Sequence, residues 1–297
     1  MKALKAIAII LLVLSFGALS AQTPVPSAGT SSDLVWVCPM DKDIRSLVPG
    51  KCPRCGMQLA SGIPDPVEYH LNLTVSPRSP KPNEPAHLVF EVHDPWKSKP
   101  VTKFTEMHEK LFHTFIVSQD LSVFVHDHPV WKDNTFQYDF RFPKPGLYRI
   151  LGDFYPEAAT PQLIAKSVVL AGNATPAAPL KRDYAPKDAE NMRVELDTVP
   201  EQPVAGRATQ LHFHISPGEG FEKYLGAWGH MLAVSDDLID MMHTHPVAAE
   251  GPDLKFSVIF PRARMHRVWV QFQRNGVINT VHFDIPVVEQ ASLDPGP

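Results

Sequence analysis

The sequence predicts a mainly β protein: a small cysteine-bearing module followed by two tandem immunoglobulin-like β-sandwich domains. Three observations point there. One long segment occurs twice in the chain. Each copy breaks into short runs of alternating or β-branched and aromatic residues, separated by Pro, Gly and Asn turns, which is the pattern of half-buried strands. All three cysteines fall in one stretch ahead of the first copy.

Taken in order, the chain opens Met1-Lys2-Ala3-Leu4-Lys5, runs apolar from Ala6 to Phe16, and continues with the small residues Gly17, Ala18, Ser20 and Ala21. This is the pattern of a secretory signal peptide, residues 1–21, with cleavage near Ser20 or Ala21. The apolar run is well short of the roughly 20 residues a membrane span needs, and no cysteine sits at the cleavage site to take a lipid. No later segment is apolar enough to span. A periplasmic or extracellular (secreted) protein is expected. Gln22 to Ser32 reads as a linker to the next unit.

The cysteine module, residues 34–60, contains Cys38-Pro39-Met40 and then Cys52-Pro53-Arg54-Cys55-Gly56-Met57. Proline and glycine bend a Cys-Pro-x-Cys-Gly segment so that two thiolates point at one cation. Cys38 adds a third thiolate, and Met40 and Met57 offer thioether sulfur, a set that favours copper or silver as soft Cu(I) or Ag(I). One disulfide plus a spare thiol is the competing reading for an exported chain.

Val37 to Leu59, VCPMDKDIRSLVPGKCPRCGMQL, resembles the heavy-metal-binding domain appended to bacterial copper and silver efflux proteins. The resemblance covers only this short stretch. It implies that Cys38, Cys52 and Cys55 are sulfur ligands, that Met40 and Met57 belong to the site, and that a metal efflux system is a possible partner. Where that family reads Cys-Pro-Met-His, this chain has Asp41; a ligand supplied by that histidine in relatives would be lost here.

The repeat follows. His113-Thr114-Phe115-Ile116-Val117-Ser118-Gln119-Asp120-Leu121 recurs as His230-Met231-Leu232-Ala233-Val234-Ser235-Asp236-Asp237-Leu238, and His126-Asp127-His128-Pro129 as His243-Thr244-His245-Pro246, all at an offset of 117. Leu71-Asn72-Leu73 and Leu88-Val89-Phe90 match Val194-Glu195-Leu196 and Leu211-His212-Phe213. Homologous sandwiches are expected at residues 66–172 and 190–290. In the first, strands are expected over Tyr69–Val75, Ala86–Val92, Leu111–Val117, Ser122–His126, Thr135–Phe142 and Tyr148–Phe154. Gly172 to Pro179 reads as the linker between the copies.

The repeated histidines are the second candidate site. If Gln119-Asp120 and Asp236-Asp237 centre tight hairpin turns, His113 lies opposite His126 and His230 opposite His243, with Cβ atoms ~4.5–5.5 Å apart. His128 and His245, two residues further along, share those faces. Three imidazoles on one hairpin face can hold zinc or copper as divalent ions; equally, they can be structural, hydrogen-bonded to backbone. His108 and His266, each beside a methionine, are weaker candidates without repeat partners.

The formal net charge is −4, and no long basic stretch is present, so nucleic-acid binding has no support. The expectation is an exported metal-binding protein, not an enzyme, that captures or buffers copper-like heavy-metal ions. A metal-dependent hydrolase using a three-histidine site is the alternative from another class, with Glu91, Asp127 or Asp153 as base. A structural or interaction module is the third. A blue-copper carrier is disfavoured, because neither sandwich contains the cysteine that chemistry needs.

Protein recovered from the periplasm or medium is expected to lack its first ~20 residues by intact mass. Retention of Met1 there would contradict the reading.

Overall fold

In a computed structural model the described residues are 36–290, apart from 42–43, 47, 62–66, 96–98 and 175. The predicted signal peptide and the linker from Gln22 to Ser32 lie outside them. Among the described residues the regular structure is all β, with no helix, and none is therefore long and apolar enough to cross a membrane.

The cysteine module is a minimal three-stranded sheet in which Trp36–Val37 pairs with both Arg45–Ser46 and Ala60–Ser61. So small a unit cannot bury a core alone. Cys38, Ile44, Cys52 and Leu59 instead join the core of the first sandwich. Arg54 fastens the join: its guanidinium reaches Asp94 at 3.2 Å and donates to the Tyr69 hydroxyl at 2.6 Å.

The first sandwich has two four-stranded antiparallel sheets. One runs His70–Ser76, Pro85–His93, Thr135–Arg141, Val130–Lys132; the other runs Gln162–Leu170, Gly146–Phe154, Phe112–Ser118, Phe124–Asp127. The six expected strands are all present. Val130–Lys132 and Gln162–Leu170 were not foreseen. The second sandwich repeats the plan. Arg193–Val199, Ala208–Ser216 and Asp253–Ile259 form the centre of one sheet. Val277–Pro286, Met265–Arg274, His230–Ser235 and Met241–Thr244 form the other.

The sheets bearing the histidines also face each other. Phe112–Ser118 and His230–Ser235 are buried at every residue, the mark of a strand covered on both faces. Alternation divides the work. Phe112 and Ile116 enter the first core, and Met231 and Ala233 the second. Phe115 and Val117 instead meet Leu232 and Val234 between the domains, with Leu121, Leu151, Leu238 and Trp269. Trp269 stacks on Phe124 of the other sandwich with ring centroids 5.0 Å apart. Arg267 donates across the boundary to the Leu121 carbonyl at 2.9 Å.

The hairpins differ from expectation in register. Phe115, not His113, stands opposite His126, and Leu232, not His230, opposite His243. The pairing is shifted by two residues because each loop is longer than a tight turn. Ser118 N bonds Val123 O at 3.2 Å, and Ser235 N bonds Asp240 O at 2.9 Å. An aspartate organises each loop from inside, Ser118 Oγ donating to Asp120 and Ser235 Oγ to Asp237, both at 2.6 Å. Leu121 and Leu238 take positive φ there, which drops both side chains into the interdomain core. Since side chains alternate with period two, a two-residue shift keeps every histidine on its expected face.

Trp269→Ala removes the largest side chain of the interdomain core and is expected to destabilise the protein by about 3–5 kcal/mol. Urea denaturation would measure it, and a loss under about 1 kcal/mol would mean the domains do not depend on this contact.

Candidate metal centres

The cysteine cluster follows from its turn. Gly56, at φ +78°, lets its N–H return to the Cys52 carbonyl at 2.8 Å, folding Cys52 and Cys55 onto one side. The three cysteines are free thiols. The Cys38 and Cys55 sulfurs lie 3.5 Å apart. Asp41, expected only as a lost ligand, is 3% exposed, and its Oδ2 lies 3.5 Å from the Cys52 sulfur and 3.9 Å from that of Cys38. Its other oxygen faces Arg54 at 3.4 Å. Tetrahedral sites with metal–sulfur bonds of ~2.3 Å have sulfur–sulfur edges of about 3.8 Å, so the four groups fit around one ion. Met40 and Met57 stand at the surface, 56% and 44% exposed.

The electrostatics divide the thiols. Burial works to raise Cys38, but the Asp41 and Met40 amides and the other two thiols bring its pKa below the ordinary 9.0. At Cys55 the Met57 amide works downward; burial, Asp41 and the other two thiols outweigh it and push the pKa up to about 12. A bound cation would offset that crowding of negative charge.

Both histidine trios assemble. Between the sandwiches, His113 Nδ1 lies 3.2 Å from His126 Nε2 and 3.1 Å from His128 Nε2. In the second copy His245 Nε2 lies 3.0 Å from His230 Nδ1, and one ring nitrogen of each of the three residues falls within 4.8 Å of the others. Tetrahedral nitrogen edges around a cation with ~2.0–2.1 Å bonds are about 3.3–3.4 Å.

The outward nitrogens fix which atoms face inward. His113 Nε2–H donates to the Met107 carbonyl at 3.1 Å and His230 Nε2–H to that of Tyr224 at 2.9 Å. His126 Nδ1–H donates to Gln271 Oε1 at 2.7 Å, and the Gln271 amide N–H donates to Thr280 Oγ1 at 3.0 Å. His243 Nδ1 bonds Asp153 at 2.5 Å. Lone pairs of His113 Nδ1 and His126 Nε2 are thus aimed at each other, and His243 Nε2 is buried with no hydrogen-bond partner. Such outer hydrogen bonds set imidazole tautomers in metal sites.

Burial keeps five of the six rings neutral. It pushes His113 and His128 down to about 4 and His230 to about 3, with neighbouring imidazoles adding to the effect. His126 and His245 lie well below the ordinary 6.5 for the same first reason.

Sequence reasoning missed Asp41 as a member of the cysteine cluster, Gln271 and Asp153 as outer partners, and the approach of His108, whose ring centroid lies 3.7 Å from that of His245. The repeat held one signal, since Asp153 and Gln271 occupy matching places, opposite His113 and His230 on adjacent strands.

Residues 66–168 and 187–289 match a domain of unknown function, DUF8832, which accounts for more than half of the chain. The chain belongs to that family. Residues 35–60 match the heavy metal binding domain family. No curated protein matches the chain. Among solved structures, the Yersinia pseudotuberculosis adhesin InvE is 11% identical over 73% of this chain and 60% of its own, with a TM-score of 0.24. The Escherichia coli adhesin FdeC is 11% identical over 79% and 71%, at a TM-score of 0.26. A two-domain fibronectin type-III segment of chicken tenascin is 9% identical over 74% and 99%, at 0.24. The DUF8832 chain thus spans less than two thirds of the InvE structure.

Stability of the metal-free protein should depend on the trios. An unfolded histidine takes a proton near 6.5, whereas folded His113, His128 and His230 resist until about 4 or 3. Between those values the unfolded state holds more protons, so stability falls as pH falls. The urea midpoint of metal-free protein is expected to drop steadily from pH 7 to pH 5; a flat profile would contradict buried neutral trios.

Proposed function

We propose that this DUF8832 protein is an exported metal-binding protein that captures or buffers copper-like heavy-metal ions. The observation that carries the reading is the convergence of one ring nitrogen from each histidine of a trio, at about the spacing of ligands around one cation, in both copies between the sandwiches. The match of residues 35–60 to a heavy metal binding domain supports it independently. In this reading Cys38, Cys52 and Cys55 hold one soft ion, Cu(I) or Ag(I), with Asp41 beside them and the flexible Met40 and Met57 able to swing in as ion-delivering thioethers. The trios His113, His126, His128 and His230, His243, His245 take Zn(II) or Cu(II). Metal-free and soft-ion-loaded forms would exchange with a metal efflux system in the periplasm or outside the cell.

The hydrolase reading is weaker because the carboxylates nearest the trios are engaged. Asp153 is committed to His243, and Asp127 accepts from the Tyr138 hydroxyl at 2.8 Å. Neither is placed as a free base for a metal-bound water.

The test is metal analysis with variants. One soft ion per chain is expected to protect all three thiols from alkylation, and Cys52→Ser to abolish that protection while leaving divalent binding intact. His128→Ala and His245→Ala should each lower divalent-ion affinity at least ~10-fold, the minimum expected when even an outer partner is lost, while leaving thiol protection unchanged. Thiols equally reactive with and without Cu(I), together with no divalent binding, would overturn the reading.

A further inference from the structure

The two trios are not separate sites that happen to be duplicated. The His126 and His230 ring centroids are 5.3 Å apart, and His113 lies 6.2 Å from His230 and 6.0 Å from His243. These rings come from opposite sandwiches. The outer hydrogen bonds also cross: Gln271 of the second sandwich orients His126 of the first, and Asp153 of the first orients His243 of the second. Asp153 sits beside His113 in its own sheet, yet its carboxylate serves the other domain's trio.

The crossing is not symmetric. The partner that reaches the first trio from across the boundary is a neutral amide, that of the second a carboxylate at hydrogen-bond distance; Asp127 of the first sandwich stands 3.9 Å from His128 Nδ1, beyond hydrogen-bond reach. A carboxylate behind a ligating imidazole raises its basicity and stabilises the bound cation. The second trio has another neighbour that the first lacks. His108, from a loop of the first sandwich, lies 3.7 Å from His245 and 5.6 Å from His230 between ring centroids, whereas the matching position in the second copy is Leu225. Both residues hold the same positive φ of 50°, so the two loops match and differ here in the side chain alone. Asp153 of the first sandwich therefore favours a cation held by the second, while Gln271 returns only a neutral amide.

We propose that the trios form one two-ion centre shared by both sandwiches, in which His230, His243 and His245 make the tight site and His113, His126 and His128 the weaker, exchangeable one. This rests on the trios being metal sites. Asp153 is the positioning residue that sets the difference, and the ligand is a divalent ion of the Zn(II) or Cu(II) kind. The consequence is graded loading: one ion held firmly and a second released first.

The test uses full-length protein titrated with Zn(II) against a competing chelator, with anomalous diffraction at the zinc edge to locate each ion. The cysteine module supplies a remote reference position. Two ions are expected between the sandwiches, no more than roughly 10 Å apart given the ring separations and bonds of ~2.0–2.1 Å. At limiting zinc, the His230–His243–His245 position should fill before its counterpart. Asp153→Asn should weaken that site alone by about 10–100-fold, leaving the other within about threefold. Gln271→Glu should tighten the His113–His126–His128 site by a comparable factor, a gain that misfolding cannot imitate. Equal occupancy at limiting zinc, equal weakening of both sites by Asp153→Asn, or no gain from Gln271→Glu would overturn the shared, unequal centre while leaving metal binding intact. If no zinc enters either trio, the metal reading of the histidines fails first and this inference with it.

Discussion

Everything at the centre of this molecule depends on the burial of a second face on two strands. Phe112–Ser118 and His230–Ser235 could each have stood at the surface of an ordinary sandwich, with one face wet. Instead Phe115, Val117, Leu232 and Val234 close on each other, and hydrophobic association of the two sheets carries His113 and His230 inside with them. Docking of the domains buries His113 and His230 to 2% exposure and partly buries the other four histidines. Burial then decides their chemistry, since a charged imidazole is costly there and a neutral one presents a lone pair. The packing interaction and the ligand property have one cause.

The cysteine cluster obeys a different constraint. Its module is too small to supply a core, so it borrows the first sandwich's, and Arg54 links Asp41 of the cluster to Asp94 and Tyr69 of that sandwich. A change of charge among the sulfurs therefore reaches the first sandwich through one guanidinium. Arginine suits this role because its rigid fork serves several partners at once. The thiols pack against the first sandwich's core, the imidazoles between the two sandwiches.

Much of this was legible in the sequence, and the limits of legibility are physical. The repeat, the strand pattern and the shared face of each trio depend on local spacing and period-two alternation, which a sequence displays directly. The register did not follow, because the loop geometry depends on Asp120 and Asp237 bonding backward to Ser118 and Ser235 and on left-handed Leu121 and Leu238. Those residues looked like a tight turn. The error did no harm to the site because it was an even number of residues. Asp41 was visible but read as a substitution that loses a ligand; only the fold shows its carboxylate among the sulfurs. Gln271 and Asp153 act across a domain boundary, and nothing local to either residue announces a partner 145 or 90 positions away. Besides the matching places of Asp153 and Gln271 in the repeat, a hint lay in the strand after His113, which is apolar at consecutive positions instead of alternating, as a strand covered on both sides is.

The duplication bears on how such a centre can arise. Two identical sandwiches docked about a pseudo-twofold would give two identical trios, each with the same outer partner. Here the matching positions hold Asp153 and Gln271, His108 and Leu225, Asp127 and Thr244. The trio histidines themselves are unchanged between copies, while the residues behind them differ. Substitution in the outer layer alters affinity without removing a ligand, so the copies can diverge in strength while both remain competent. Because Gln271 and Asp153 each serve the opposite sandwich, that divergence has meaning only while the domains stay docked. The same apolar contact that buries the histidines therefore also holds in place the residues that distinguish them.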